Sequence, residues 1–467
     1  MGLKTLIMPW LASMITSDSI RNLRRSWFEI NRRLFVAKDT VVFYHRVDDP
    51  YSFLLLQAIP RFLEDFKVKL DIQFVLDLPT ALNPEPEKRR DYALADAKRL
   101  ARFHGLSFNE SARQPSKADA LKASAILLKH ASRPKLLHMA SEVTGALWGN
   151  STTTFESCLK RYGMLPESQA TRKLKDAKEQ LLSRGHYSSA MLYYGGEWYW
   201  GLDRLGHLAE RLNKPGIRRD TGDIAEYQKQ YQHVLQSYNT LRPRPKQVQS
   251  LEFYCSFRSP YSYIAAERVF KLAEMYKVPV IIKPVMPMVT RGIPAPPIKK
   301  MYIVKDTKRE ANRFGIPFGK ICDPLGNGVE NCMALFQYAQ QEGKDKEFIV
   351  AATTAIWAHG VNTSRPGGLK KIIRKSGLDW NKARQFLGDT SWQEIAKSNR
   401  EDLEALGLWG VPSFKYGDLI LWGQDRLWAL EEAILSTDAT PSNSRNRNNR
   451  NNQGGRTAPS PAQQQTP

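Results

Sequence analysis

The stretch VVFYHRVDDPYSF at residues 41–53 recurs as LEFYCSFRSPYSY at residues 251–263. Each copy is an apolar run that leads through a polar turn to a proline, which is typical of a strand followed by a helix start. The two copies share several residues at a constant offset. These are Phe43, Tyr44, Pro50, Tyr51 and Ser52 in the first copy and Phe253, Tyr254, Pro260, Tyr261 and Ser262 in the second.

Two further blocks repeat in the same order. Near the end of each half, YGGEWYWGLDRLGHL at 194–208 corresponds to YGDLILWGQDRLWAL at 416–430. A middle block keeps the offset of the first block, with Asp96, Lys98, Arg99, Ala101, Gly105 and Phe108 matching Asp306, Lys308, Arg309, Ala311, Gly315 and Phe318. Three blocks in one order indicate an internal duplication.

Both halves predict the same order of elements: strand, helix, strand, helical insertion, hairpin and helix. That order is typical of an α/β fold with one central sheet in each half. The tail is rich in Asn, Arg, Gln, Gly, Ser and Pro, which predicts disorder. We expect an N-terminal segment at 1–38, a first domain at 39–213, a helical connector at 214–247, a second domain at 248–436 and the tail at 437–467.

The composition is that of a soluble globular protein. Of its 467 residues, 42% are hydrophobic and 25% charged, and the formal net charge is +22. This charge favours anionic partners, whether nucleic acid, anionic lipid or small acidic substrates. No run of five Lys or Arg and no RNA-binding or helix-turn-helix motif occurs, so we expect no specific nucleic-acid partner.

Four cysteines, Cys158, Cys255, Cys322 and Cys332, occur without a CxxC pair. That spacing argues against a disulfide framework and against a zinc site. We therefore expect two domains that are stabilised by their own apolar cores and hold no metal.

The N-terminal segment has a charged feature of its own. From Ile20 to Phe35, arginines alternate with apolar residues at helical spacing, which predicts a basic amphipathic helix. We expect this helix to pack on the folded domain; weak contact with a membrane surface is the alternative. No convincing signal-peptide cleavage site and no run near the ~18 apolar residues of a membrane span occur, so we expect a cytoplasmic protein.

The sequence SPYS at residues 259–262 follows an apolar strand and opens a helix. A helix N-terminus carries free N–H groups and partial positive charge, which stabilise an anion such as a thiolate. The Ser259 hydroxyl can donate a hydrogen bond to a sulfur anion and favour its charged form. The structural alternative is that Ser259 caps the helix and Pro260 occupies its first position.

Two later motifs complete the second repeat. In GVPSF at 410–414, Pro412 precedes a strand, where a cis peptide bond would turn backbone groups toward a peptide ligand. The alternative is an ordinary proline at a sheet edge. In WGQDRL at 422–427, Gln424 and Asp425 stand at the start of the last helix. Asp425 either caps that helix or accepts hydrogen bonds from a ligand ammonium group.

Taken together, the motifs of residues 248–436 resemble the DsbA-like thioredoxin family. Within it they look most like the 2-hydroxychromene-2-carboxylate isomerases and the kappa-class glutathione transferases. With the duplication, the resemblance implies two tandem DsbA-type thioredoxin-like domains, each with a central mixed sheet and a helical insertion. It rests on FYCSFRSPYSY at 253–263, KKMY at 299–302 followed by Asp306, GIPF at 315–318, WGVPSF at 409–414 and WGQDRL at 422–427.

The resemblance implies that glutathione is the cofactor and that Ser259 holds its sulfur as a thiolate. It implies that Val411 pairs with the cysteinyl backbone beside a cis Pro412, and that Lys299 faces a carboxylate of glutathione or of the substrate. The γ-glutamyl end would lie on two further residues, Gln424 and Asp425. In an isomerase the thiolate adds to a conjugated double bond and leaves again; in a transferase it stays attached.

Redox members of this fold carry a CxxC pair where this chain has Ser259 and Ser262. Thiol–disulfide exchange needs a thiolate nucleophile and a resolving thiol. The sequence therefore argues against a disulfide oxidoreductase of the CxxC type. Cys255 is no substitute, because it lies in the strand and is interpreted as a small buried hydrophobe.

Arg291 marks a departure from the resemblance, because relatives commonly have an asparagine in this loop. The added cation can change the pocket for an acidic substrate. The first repeat departs further, with Asp49 at the Ser259 position, Ala190 at the Pro412 position and Leu202 at the Gln424 position. We interpret the first repeat as a structural partner that covers or shapes the second. A binding site for another anion or peptide is the alternative.

Three functional hypotheses follow. The first is a glutathione-dependent isomerase, or a transferase, that acts on a small conjugated or electrophilic and acidic substrate. The second is a non-catalytic binding or chaperone protein on a thioredoxin scaffold. The third is a surface-associated protein that binds anionic polymer or lipid through its basic N-terminus and tail. A homodimer is left open.

Overall fold

The computed structural model describes residues 3–219, 224–233 and 248–436, with side chains from residue 8 onward. Each half of the chain contains one four-stranded mixed sheet, and the two sheets have the same topology. The first has the order β2-β1-β3-β4, and consists of β1 (Thr40–His45), β2 (Lys69–Phe74), β3 (Met191–Tyr194) and β4 (Glu197–Trp200). The second has the order β6-β5-β7-β8, and consists of β5 (Leu251–Cys255), β6 (Val280–Pro284), β7 (Ser413–Tyr416) and β8 (Leu419–Trp422). The α/β fold predicted for both halves is confirmed.

The central strands are apolar because helices cover both faces of each sheet. In the first sheet β1 runs parallel to β2 and antiparallel to β3, and the buried Phe43 lies between Ile72 and Leu192. In the second sheet Phe253 is paired in the same way, and its ring stacks on that of Phe414 with centroids 5.4 Å apart. The repeated FY motif therefore forms the centre of both cores.

Helices account for most of the chain outside the sheets. The N-terminal segment and the first repeat contain α1 (Leu3–Ile15), α2 (Asp18–Leu34), α3 (Pro50–Asp65), α4 (Pro86–His104), α5 (Lys117–Lys129), α6 (Leu136–Leu147), α7 (Phe155–Tyr162), α8 (Glu167–Ser183) and α9 (Leu205–Leu212). The second repeat contains α10 (Pro260–Tyr276), α11 (Pro297–Arg313), α12 (Asn327–Gln341), α13 (Asp345–Trp357), α14 (Pro366–Lys375), α15 (Trp380–Ala383), α16 (Trp392–Ala405) and α17 (Leu427–Ser436). Short 3₁₀ helices occupy Leu202–Arg204, Ile224–Gln228, Met288–Arg291, Arg384–Phe386 and Gln424–Arg426.

Several boundaries differ from the sequence prediction. The helix that contains Asp306 begins at Pro297, because proline is well suited to the first helical position. Both closing helices begin as 3₁₀ turns, so Asp203 and Asp425 lie in a tighter turn than predicted. Of the connector, residues 214–219 and 224–233 are described, and the predicted disordered tail at 437–467 lies outside the described residues.

The basic helix α2 packs on the first repeat through its charged side. Arg25 makes a bidentate ion pair with Glu197 at 2.6 and 2.7 Å. Glu29 accepts hydrogen bonds from Arg211 at 3.0 Å and from Lys214 at 2.6 Å. The prediction that this segment packs on the folded domain is confirmed. Among the described residues, no helix has both the length and the apolar character needed to cross a membrane.

Candidate active site

A cavity of about 720 Å³ lies between the two repeats, and three parts of the chain form its wall. The N-terminal helix α1 contributes Met8 and Leu11, and the first repeat contributes Arg89 and Tyr187. The second repeat contributes the SPYS turn and the loop before β7. Most of the lining is apolar. A concave apolar site with a few converging polar groups is the usual form of a small-molecule pocket.

Ser259 lies on this wall at the junction between β5 and α10. Its hydroxyl oxygen accepts a hydrogen bond from the Ser262 N–H at 3.1 Å, so Ser259 is the N-cap of α10. The same hydroxyl donates to the Val411 carbonyl at 3.3 Å, which is long for a hydroxyl hydrogen bond. The Ser259 oxygen therefore caps the helix and its proton is only weakly held, while its role toward a sulfur anion stays a prediction.

Val411 and Pro412 lie next to Ser259 in the cavity wall. The peptide bond between them is cis, as predicted, and it is the only cis bond among the described residues. The Pro412 carbonyl accepts a hydrogen bond from the Gly423 N–H at 2.9 Å, which ties this loop to the turn before the last helix. The three predicted motifs of the second repeat thus meet at one place.

Lys299 lies at the cavity edge formed by both repeats. Its ammonium group donates to the Leu82 carbonyl of the first repeat at 3.2 Å. Burial, together with the nearby Arg89 guanidinium, lowers the pKa of Lys299 to about 8. Arg291 also lines the cavity and donates to the Trp409 carbonyl at 2.7 Å. Burial lowers the pKa of Arg291 as well. This side of the cavity is cationic, which suits an anionic ligand.

Gln424 and Asp425 line the cavity and also belong to the contact between the repeats. The buried Gln424 amide donates to Glu310 at 2.9 Å, and its oxygen accepts from Arg268. Asp425 accepts from Arg204 of the first repeat at 2.8 Å. Asp425 does not cap α17, because it sits within the 3₁₀ turn that precedes it. The roles of Gln424 and Asp425 as ligands of a γ-glutamyl group stay a prediction.

Two arginines join the repeats in a reciprocal way. Arg204 of the first repeat makes a bidentate pair with Asp306 of the second at 2.9 and 2.8 Å. Arg426, its equivalent in the second repeat, makes the matching pair with Asp96 of the first at 2.8 and 2.7 Å. We call these residues, with Asp203 and Asp425, the reciprocal arginine network. Both arginines are only 3–4% exposed, so the network is buried at the contact.

Tyrosines and aspartates complete the network symmetrically. Tyr51 donates to Asp96 at 2.9 Å, and Tyr261 donates to Asp306 at 2.8 Å. Burial acts to raise the pKa of both aspartates, but their arginine partners lower it overall. Both carboxylates therefore remain charged, as buried ion pairs with full hydrogen bonding require.

Asp425 is the exception in this network. Its burial raises the carboxyl pKa to about 7; Arg204 opposes the shift, while the neighbouring carboxylates of Asp203 and Glu310 add to it. Burial is the main reason that the Asp425 carboxyl favours its protonated form.

The equivalent turn in the first repeat is built differently. Asp49 caps α3 and accepts hydrogen bonds from Ser52 at 3.0 Å and Ser189 at 2.7 Å. Ala190 stands at the Pro412 position with φ of 57°, a value that proline cannot adopt. Leu202 replaces Gln424 and is buried. The described part of the first repeat therefore lacks the cis turn. Both carboxylate oxygens of Asp49 already accept hydrogen bonds from residues around them.

Sequence reasoning missed two parts of the site. The first is the contribution of α1 and of Arg89, for which no sequence signal pointed to the cavity. The second is the reciprocal arginine network, for which a signal existed: Asp-Arg-Leu is retained at 203–205 although the surrounding site is lost.

All four cysteine thiols are buried and free. Burial raises the pKa of Cys255. Within the described residues no group of His, Cys, Asp and Glu could hold a metal ion.

Comparison with known proteins identifies the second repeat. Residues 250–435 match the family model of the DSBA-like thioredoxin domain. The 2-hydroxychromene-2-carboxylate isomerase of Pseudomonas putida is 26% identical over 196 residues, which cover 39% of this chain and 93% of that protein. The enzyme of the same name from Sphingobium xenophagum is 26% identical over 198 residues, covering 40% and 99%.

A solved structure of a 2-hydroxychromene-2-carboxylate isomerase covers 39% of this chain and 93% of its own, with 25% identity and a TM-score of 0.36. The family match spans one of the two sheets, and the other sheet has the same strand order. The second half of the chain is therefore a DsbA-like thioredoxin domain related to proteins named 2-hydroxychromene-2-carboxylate isomerase.

Proposed function

We propose that the second repeat is a glutathione-dependent isomerase of small, conjugated, acidic substrates. The observation that carries this proposal is the position of Ser259. It combines a helix N-terminus, a weakly held hydroxyl proton and an opening into the cavity beside Val411. The relatives named as isomerases match about two fifths of the chain.

In this proposal Ser259 holds the sulfur of glutathione as a thiolate. The hydroxyl turns from the Val411 carbonyl to the sulfur, while its oxygen continues to accept from the Ser262 N–H. The positive end of α10 adds to the stabilisation of the anion. Both effects lower the pKa of the bound thiol and raise the fraction of nucleophilic thiolate at neutral pH.

The reaction then proceeds without an oxidant or reductant. Glutathione held by Ser259 would supply a thiolate that adds reversibly to the conjugated double bond, with the electron pair moving into the carbonyl system, so that the bond can rotate before elimination restores it. Glutathione is neither consumed nor oxidised.

The cationic side of the cavity supports an acidic substrate. Lys299, Arg89 and Arg291 lie on it, and the rest of the wall is apolar. A carboxylate can pair with these cations while a conjugated ring contacts the apolar wall. At the other end of the bound cofactor, the Asp425 carboxyl, which lines the cavity, would receive the γ-glutamyl ammonium group.

Calorimetry of glutathione binding, with the absorbance of the bound thiolate near 240 nm, tests the proposal. We expect wild type to bind glutathione and Ser259→Ala to raise the pKa of the bound thiol. Ser116→Ala is the matched control, because Ser116 caps α5 in the same way but away from the cavity. Absence of binding at millimolar glutathione would overturn the proposal and leave a binding protein on a thioredoxin scaffold.

A turnover assay separates isomerase from transferase chemistry. With a conjugated acid as substrate, we expect the substrate to isomerise while the concentration of free glutathione stays constant. Stoichiometric loss of glutathione with formation of a stable adduct would instead identify a transferase.

A further inference from the structure

Helix α2 presents its apolar side to solvent. Leu23 is 70% exposed, Trp27 66%, Ile30 51% and Leu34 72%. Their spacing places all of them on one stripe of the helix. The stripe continues into Phe35 and Val36, which are also exposed. Isolated exposed apolar residues need no explanation, but a contiguous stripe of this kind marks an interaction surface.

The opposite side of α2 fixes this orientation. Arg25 pairs with Glu197, and Glu29 pairs with Arg211 and Lys214. Phe28 packs edge-on against Tyr194 with ring centroids 5.4 Å apart. The apolar stripe cannot turn toward the protein unless these contacts break, so it is held toward solvent.

Cations flank the stripe. With about 100° of rotation per residue, Arg24 lies about 90° to one side of the stripe and Arg33 about 90° to the other. Both are exposed, as is Lys38 beyond the helix end. An exposed apolar stripe with a cation on each side matches the boundary of an anionic bilayer, where acyl chains lie beneath phosphate headgroups.

Helix α1 adds to the same segment. Trp10 is 62% exposed and Met14 41%. Met8, Leu11 and Ile15 are at least 40% exposed while they also line the cavity between the repeats. The cavity therefore opens to solvent beside α1, directly before the helix that carries the stripe.

We propose that α1 and α2 form a docking surface for an anionic lipid membrane, with the stripe of α2 in the interface and the flanking cations on the headgroups. A second copy of this chain is a poorer occupant. In a two-fold dimer the stripes of the two copies would pack on each other, which would bring Arg24, Arg33 and Lys38 of both copies together. Anionic headgroups neutralise those cations instead.

The proposal has a consequence that rests on the proposed isomerase function. Because the cavity opens beside α1, a docked molecule would have its substrate entrance next to the membrane. Apolar conjugated acids, which partition into bilayers, would then be the substrate class that this arrangement favours.

Co-sedimentation of the full chain with vesicles tests the docking surface. The vesicles consist of phosphatidylcholine alone or of phosphatidylcholine mixed with phosphatidylserine. We expect binding to the mixed vesicles, weakening with salt. Trp27→Ser with Leu34→Ser should reduce it at least about ten-fold, as should Arg24→Glu with Arg33→Glu. Leu325→Ser with Ile395→Ser, which removes comparably exposed apolar groups elsewhere, should leave it unchanged.

Three results would overturn the docking proposal. Wild type could fail to bind either kind of vesicle. The variant Trp27→Ser with Leu34→Ser could also bind as wild type does, and this result would assign lipid binding to another basic part of the chain, such as the tail. Sedimentation velocity could also show a dimer that this double variant dissociates, without vesicle binding. Glutathione binding in solution, measured on the same variants, should be unaffected. If glutathione does not bind but vesicles do, only the proposed isomerase function fails.

Discussion

The two repeats share a sheet topology and a set of buried ion pairs, but they differ at the turn where we propose that the chemistry takes place. Both keep the arginine, aspartate and tyrosine of the reciprocal arginine network. At the turn, the second repeat has Ser259 beside a cis proline, whereas the first has Asp49 beside Ala190.

This difference separates two requirements on the sequence, namely contact between the repeats and the proposed contact with a ligand. Residues that join the repeats are retained in both copies, because each ion pair needs a partner from the other half. The residues that we propose to face a ligand occur in the second copy only. The first repeat thus keeps what the contact needs and supplies a wall of the second repeat's cavity.

The largest effect is expected from breaking the shared part. Arg426→Ala removes the cation that pairs with buried Asp203 and leaves buried Asp96 with Arg99 alone, and should lower the free energy of unfolding by about 3–5 kcal/mol. Arg204→Ala should do the same from the other side. Urea unfolding measures both effects. Lys175→Ala, at an exposed ion pair with Glu179, should change stability by less than about 0.5 kcal/mol. Equal values for buried and exposed sites would contradict a contact that depends on the network.

A second comparison concerns the raised pKa of Asp425. Because this pKa is about 7 in the folded protein and near 3.8 in the unfolded chain, the folded state binds the additional proton between these values. Stability therefore falls as pH rises from about 4 through 7. Asp425→Asn should remove this loss, so that its stability relative to wild type increases by about 2–3 kcal/mol from pH 5 to pH 8.

Thermal or urea unfolding over this pH range measures the Asp425 effect. Asp418→Asn, at an exposed carboxyl in the turn between β7 and β8, is the control and should run parallel to wild type. A parallel curve for Asp425→Asn as well would show that its carboxyl titrates normally.

The two N-caps offer a matched pair for the third prediction. Ser259→Ala and Asp49→Ala each remove a helix cap and should each lower stability by about 1 kcal/mol. Only Ser259→Ala should change the ionisation of bound glutathione. If Asp49→Ala changed it as well, the first repeat would take part in the chemistry and the contrast between the repeats would fail.

The smallest effect is expected at Lys299. Since its pKa is about 8, the positive charge is present below that pH and lost above it. Affinity for S-methylglutathione, whose thiol cannot ionise, should fall about five-fold as pH rises through 8. Lys299→Met should bind weakly throughout and show a flatter profile. Lys346→Met, at an exposed site, should behave as wild type.

Much of the fold was predictable, because a duplicated apolar pattern specifies the same elements twice. The FY strands, the SPYS turn and the cis peptide before Pro412 were all indicated by local sequence. The wall formed by α1 and Arg89 was not, since it depends on how distant segments pack. The outward orientation of the stripe on α2 was also unpredictable, because an amphipathic pattern gives two faces but does not say which one meets the protein.

The reciprocal arginine network also bears on how the protein responds to dilution and to divergence. Two separate chains joined by such a network would dissociate as their concentration fell, whereas two halves of one chain meet at a constant effective concentration. In a pair of identical chains every substitution occurs twice. In this chain each half can change alone. The N-terminal helices α1 and α2 can therefore be added beside the single cavity, while the first repeat specialises as a wall of that cavity.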